Sequence, residues 1–215
     1  RFKAMPPGSR PVVAYVLDEA ALASPFGTAD HRAMKALSGA IDRFLDEARE
    51  IRVTCLLGTD FAGRLPPRET APTDTSIRRF PHSVHRPVDA SGFAGRVAVA
   101  HMLCGTGSRY YEPYGMPLEA PVFAEIADGR LGGWTGRPAD TRRVEAHVAG
   151  VAERFGIDGT VVHSWHAGIH PGCAYRGSAH DNYERWSGSA FGNPRILHFH
   201  TCGDYAPGEI CWNVV

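Results

Sequence analysis

The sequence predicts an α/β fold in two parts: the end of an N-terminal α/β domain, then a domain that combines helices with a mixed sheet (α+β). Three observations predict it. A strand, an amphipathic helix and a second strand follow one another between residues 11 and 58. A stretch rich in Pro, Thr and Arg interrupts this pattern over residues 62–81. Beyond it come short strand-like runs, one hairpin signal and one helix. The expected division is therefore residues 1–61, a linker or loop at 62–81, and a second domain at 82–215.

Each element has its own reason. "PVVAYVLDEA" (11–20) is a β-branched strand with its exit. From Ala29 to Glu50, Met34, Leu37, Ile41, Phe44, Leu45 and Ala48 fall on one helical face at steps of three and four. "IRVTCLLG" (51–58) is a strand ended by glycine, so the three together outline a parallel α/β unit. "GRVAVAHMLCG" (95–105) is a strand, and Asp128-Gly129 inside "APVFAEIADGRLGGWTG" is a strong hairpin signal. Val144, Val148, Val151 and Phe155 mark a helix over Thr141–Phe155 that Gly156 stops. Residues 160–170, 195–202 and 208–215 are strand-like.

Composition narrows the function classes. Lys+Arg and Asp+Glu both number 23 in 215 residues, which gives no basic face for nucleic acid or an anionic membrane. No apolar run reaches the roughly 20 residues of a spanning helix. The opening "RFKAMPPG" and the end "CWNVV" read as cut at both ends. The five cysteines show no CxxC spacing, so neither a disulfide scaffold nor a zinc ribbon is expected. A reducing cytoplasm is the default location, a small molecule the expected substrate, and a homo-oligomer is compatible with all of this.

The histidines are unevenly placed. Six of the eleven lie after residue 162, in "HSWHAGIHPGCAYRGSAH" (163–180) and "LHFHTCGD" (197–204). His31, His101 and His147 read as ordinary surface or core residues, with His147 on the exposed side of its helix. In a strand, residues two apart share a face, so His198 and His200 point the same way. Imidazoles about 7 Å apart along a strand can converge on one ion, bonded at about 2.1 Å. By the same alternation His163 and His166 lie on opposite faces, so one of them joins. His170, before Pro171, falls on a loop rim. Glu209 interrupts an apolar strand in "GEICW", where a carboxylate must be paired or ligated. It is a metal-ligand candidate, with a salt bridge as the alternative, and Asp204 belongs to a turn. In "GTGSRYYEPYG" (105–115), Arg109, Tyr110 and Tyr111 could hold a planar anionic substrate or form a packed turn. There is no Walker spacing, GxGxxG, GxSxG or HExxH.

"IRVTCLLGTDFAGR", "SGFAGRVAVA", "APVFAEIADGRLGGWTG", "HAGIHPGC" and "RILHFHTCGD" together, in this order, resemble the landmarks of the thermophilic aminopeptidase (aminopeptidase T) metallopeptidase family. The related 2,5-dihydroxypyridine 5,6-dioxygenase-like proteins share them. The resemblance covers roughly residues 50–215. It implies a metal site in the C-terminal domain: two ions on Glu, His, Tyr and Asp in the peptidases, one Fe(II) on two His and one Asp in the ring dioxygenase. By position, the peptidase glutamate before "GI" falls on His166 and the histidine opening "H-x-A-x-G" on His198. The "H-x-D" of the last strand falls near Glu209, and a glutamate near the start of the domain falls at His82 or Ser83. Imidazole thus replaces carboxylate at His166. Two-metal hydrolytic sites need bridging carboxylates, so one metal is expected.

The sequence therefore reads as a mononuclear metalloenzyme, foremost a non-haem Fe(II) dioxygenase that cleaves a hydroxylated aromatic or N-heterocyclic ring. His166, His198, His200 and Glu209 are the expected ligands, and His163 or His170 the acid/base. Arg109, Tyr110 and Tyr111 are the expected substrate contacts. A zinc-type metallohydrolase, peptidase or amidase, is the second reading, and a non-catalytic metal-binding module the third.

Overall fold

The computed structural model describes residues 6, 12–14, 18–65, 78–105, 111–173, 177–178, 180–182, 185–186, 190–203 and 209–214. Its N-terminal part holds β1 (Val12–Ala14), α1 (Glu19–Ala23), α2 (Pro25–Thr28) and α3 (His31–Glu47). Each helix start is capped by a side chain that accepts a main-chain N–H of its first turn: Asp18 from Ala21, Ser24 from Phe26, Asp30 from Arg32. α3 buries Met34 and Ser38 and packs Leu45 against the core. Phe44 and Leu37, expected on the buried face, are exposed at 77% and 42%. The helix contributes a narrower stripe than its apolar pattern, because it is seated on one side only.

Strands β2 (Ile51–Thr54) and β3 (Asp60–Gly63) form an antiparallel hairpin that joins the main sheet through β6 (Phe93–Gly105). This corrects the parallel strand–helix–strand unit. β1 instead pairs in parallel with β4 (Arg78–Phe80) in a separate two-stranded sheet. Residues 51–63 thus belong structurally with the C-terminal strands, while most of the expected 62–81 linker lies outside the described residues.

The remaining elements are β5 (Val88–Asp89), β7 (Gly115–Pro117), β8 (Val122–Ala127), β9 (Arg130–Thr135), α4 (Pro138–Phe155), β10 (Val162–Ala167), β11 (Leu197–Cys202) and β12 (Glu209–Val214). Among the described residues the sheet has ten strands, ordered β2-β3-β6-β12-β11-β10-β5, with β7 and β8 on β6 and β9 on β8. β8 and β9 turn at Asp128-Gly129, both with positive φ, as a two-residue hairpin requires. β6 is the spine: its first half pairs with β3 and β8, its second with β7 and β12. The architecture is mixed α+β with mainly antiparallel pairing, as the sequence predicts for the larger part.

The main core lies on one face of this sheet. Phe61, Phe93, Trp165, Phe199, Ile210 and Trp212 are buried there with Val144, Val148 and Val151 of α4. A smaller cluster of Met102, Cys104, Trp186, Ala190 and Ile196, with Phe191 packed on it, forms apart from it. α4 begins with Pro138 and ends at Gly156, left-handed at φ 62°. His147, expected on the exposed side of α4, is buried in a stripe with Asp140, Val144, Val148 and Val151. The stripe is wider than the valines alone mark. Among the described residues no helix is long and apolar enough to cross a membrane.

Candidate functional site

β10 and β11 run antiparallel with His166 opposite His198 and Ser164 opposite His200. Directly opposed residues share a face, so these positions form one block, with Trp165 and Phe199 on the core face. The ladder slips between Val162 and Ser164, leaving His163 as the inserted residue. A bulge breaks strict alternation. The His163 and His200 ring centroids are 5.8 Å apart, and His163 Nδ1 lies 3.1 Å from Ser164 Oγ. Both His163 and His166 therefore join His200, which corrects the expectation that only one would.

The nearest approach is His166 to His200. Their rings stack at 4.9 Å and 17°, and their Nε2 atoms are 2.8 Å apart. Two imidazole nitrogens at that distance share a proton, one donating and one accepting, or share an ion. Two imidazolium rings cannot occupy the arrangement. His198, fully buried, lies 5.4 Å from His166. Its Nε2–H donates to the Ala190 carbonyl at 3.0 Å, and Phe191 stacks on its ring at 4.5 Å and 11°. With Nε2–H donating, Nδ1 is the unprotonated nitrogen of the neutral His198 ring. Among the described residues no three His, Cys, Asp or Glu side chains converge as a closed metal cage.

The other predicted site residues are placed differently. Glu209 lies in β12 opposite Cys202, two positions from Cys211, which faces His200. Its side chain is outside the described atoms. Arg109 and Tyr110 are outside the described residues. Tyr111 is a correction: it is buried in the main core against His147 at 6.2 Å and Phe155 at 5.7 Å, with the residues of the face opposite the histidines. An aromatic ring in a Gly/Tyr-rich turn found more apolar surface against α4 than at the sheet's other face. His170 is also a correction. It is fully buried rather than on a rim, its Nδ1 accepts the Gly172 N–H at 3.0 Å, and Phe26 packs edge-on against it at 4.9 Å. The helix α2 covers it.

His85, which the sequence did not single out, stands beside the cluster. It is buried, and its ring lies 6.2 Å from His166 and 6.4 Å from Trp165. Burial pushes its pKa below the usual imidazole value, with the neighbouring Arg86 carbonyl and Asp42 opposing. Burial also lowers His147 and His170, and raises the Cys173 and Cys202 thiols to about 12 and about 11.

These shifts give an expected stability profile. A histidine whose pKa is depressed by folding stays neutral where the unfolded chain is protonated. Its contribution is full above about pH 6.5 and lost as the pH falls, with a limiting slope of about 1.4 kcal/mol per unit for each such ring. Thiols raised by folding act at the other end, where stability is lost as the pH rises above their unfolded value of 9.0. Urea unfolding from pH 5 to 10 should therefore show a plateau between about pH 6.5 and 9. Stability that is unchanged from pH 7 to pH 5 would contradict it.

No protein-family model matches the chain, and no curated protein does. Among solved structures the chain is similar to the 2,5-dihydroxypyridine dioxygenase from Pseudomonas putida KT2440, with a TM-score of 0.62 and 15% identity. The likeness covers 91% of this chain and 57% of that one, so the chain spans little more than half of the dioxygenase's length. The aminopeptidase side of the expected resemblance finds no support in these comparisons. At this identity the match establishes one thing: the chain has the fold of that part of the dioxygenase.

Proposed function

We propose that the chain carries the metal-binding part of a mononuclear dioxygenase that acts on a hydroxylated aromatic or N-heterocyclic ring, with Fe(II) favoured and Zn(II) the competitor. The observation that carries the reading is the 2.8 Å approach of the His166 and His200 Nε2 atoms on a rigid sheet face. A metal bonded at about 2.1 Å to two adjacent nitrogens sets them about 3.0 Å apart, so the pair fits the two-histidine half of such a site. His166 and His200 would hold the ion, and His198 would add Nδ1. The Ala190 carbonyl on its far nitrogen would fix its orientation, a support typical of ligating histidines. Glu209 is the carboxylate we assign from its place on β12. The shared fold with a ring dioxygenase supports the substrate class.

When bound, Fe(II) would supply open positions for adjacent oxygens of the ring substrate and for O₂. The chain's own residues do the rest. His163, with its ring beside His200 and Nδ1 against Ser164 Oγ, takes the proton of the substrate hydroxyl. Phe191 and the apolar cluster it joins, Met102, Cys104, Trp186, Ala190 and Ile196, exclude water on the His198 side.

The test is anaerobic reconstitution with Fe(II), metal analysis, and an oxygen electrode with 2,5-dihydroxypyridine and dihydroxybenzenes as substrates. About one iron per chain and O₂ uptake that needs the ring substrate are expected. A chain that retains no iron and consumes no oxygen would sink the proposal, and two well-occupied ions per chain would sink its mononuclear part.

A further inference from the structure

The segment from Ser83 to Asp89 runs antiparallel beside β10. Val88 pairs with Trp165 and Asp89 with Ser164 at one end. At the other, Val84 bridges Gly168, and the Ile169 N–H donates to the Ser83 carbonyl at 2.8 Å. Between these stretches lies Ala167, the residue after His166. Its N–H donates to a ring, His85 Nε2, at 2.8 Å. An imidazole here stands where a strand carbonyl would.

That bond fixes the ring's chemistry. An amide N–H can only donate, so Nε2 is the bare nitrogen and Nδ1 carries the proton. Nδ1 donates to the Arg86 carbonyl at 2.7 Å. Both nitrogens are used, so His85 has neither a lone pair for a metal nor a mobile proton for substrate. The next residue ties the segment to α3. The Arg86 N–H donates to Asp42 Oδ1 at 3.2 Å, and its guanidinium pairs with Asp42 and Asp46. The His85 ring then meets His166 at 87°.

We infer that His85 is a positioning residue for the metal centre: it pins the peptide that follows His166 and so holds the His166 Nε2 against that of His200. The inference rests on the metal reading above. A ligand must be held within about 0.5 Å to bind well, and the residue beside His166 would otherwise lack its ladder bond on this edge. Leucine fills the space but cannot accept. Glutamine places an amide oxygen near the former Nε2 and can accept.

Co(II) affinity of the full chain, with thermal unfolding of the metal-free protein, tests this. His85→Leu should weaken Co(II) binding at least tenfold, and His85→Gln should recover most of that loss. A purely structural role predicts that both variants lower the metal-free Tm and leave Co(II) affinity as in the native chain. That result, or a glutamine variant no better than leucine, overturns the inference. A native chain that binds no Co(II) overturns the metal reading and this inference with it. Native binding that His85→Leu leaves intact overturns this inference alone. Should His85→Leu fail to fold, imidazole ¹⁵N spectra of the native chain decide. His85 should remain the neutral Nδ1–H form on addition of Zn(II), while the His166 and His200 rings shift. A His85 signal that itself becomes metal-bound overturns it.

Discussion

His166→Ala is expected to remove metal binding, and with it any oxygen uptake, while His147→Ala leaves both near native. The contrast comes from where the two rings sit. His166 places Nε2 2.8 Å from His200, on the face we assign to the ion. His147 is buried under α4 beside Tyr111. Losing one of two converging ligands should weaken metal affinity at least a hundredfold, about 2.7 kcal/mol. His147→Ala leaves a buried gap, so it should cost about 1–3 kcal/mol of folding stability instead. Isothermal titration with Co(II) and urea unfolding of both variants separate the two effects. Equal loss of metal from both would show that the histidine block is not the site.

The second large effect is on the core. Trp212 is fully buried on β12, 4.8 Å from Trp134 and 6.3 Å from Phe199. Trp212→Ala should cost about 3–5 kcal/mol through lost burial and the cavity left behind. In a chain of this size that lowers Tm by roughly 10 °C or more. Phe199, its neighbour, alternates with His198 and His200 on β11, so the variant acts from the face opposite the proposed ligands. Co(II) affinity below the transition should therefore change little. A variant that keeps its Tm would mean that the β12 register is wrong, and the placement of Glu209 and Cys211 would fall with it.

Local signals were legible in the sequence. Asp128-Gly129 made its hairpin because both residues tolerate positive φ, and Gly156 ended α4 for the same reason. His198 and His200 share a face because a strand has period two. What failed depended on distant partners. Ile51–Thr54 reads as a strand, but its hairpin partner Asp60–Gly63 straddles the expected boundary at 61/62 and carries no strand pattern of its own, so the chain looked parallel where it is antiparallel. The bulge that brings His163 to His200 has no residue signature in "VVHSWH". His85 carries no local signal at all, because its acceptor role is defined by Ala167, 82 positions away. Tyr111 and His147 were each misjudged alone. Together they bury one another, a fact of tertiary packing rather than of either segment.

The spine strand also has a consequence for how the molecule is made. β6 is synthesised well before β12, yet the pairing of the two joins Gly105 to Ile210. Until residues 209–214 leave the ribosome, one edge of β6's second half has no native neighbour, and its carbonyls and amides form an open template. Contacts of such sequence separation form slowly, on millisecond to second timescales, because a long loop must close before they are rewarded. The nascent chain is thus most vulnerable to edge-to-edge association before β12 has emerged. Refolding should show a slow phase, reported by Trp212 fluorescence, in which the β6–β12 closure assembles the histidine face as a unit.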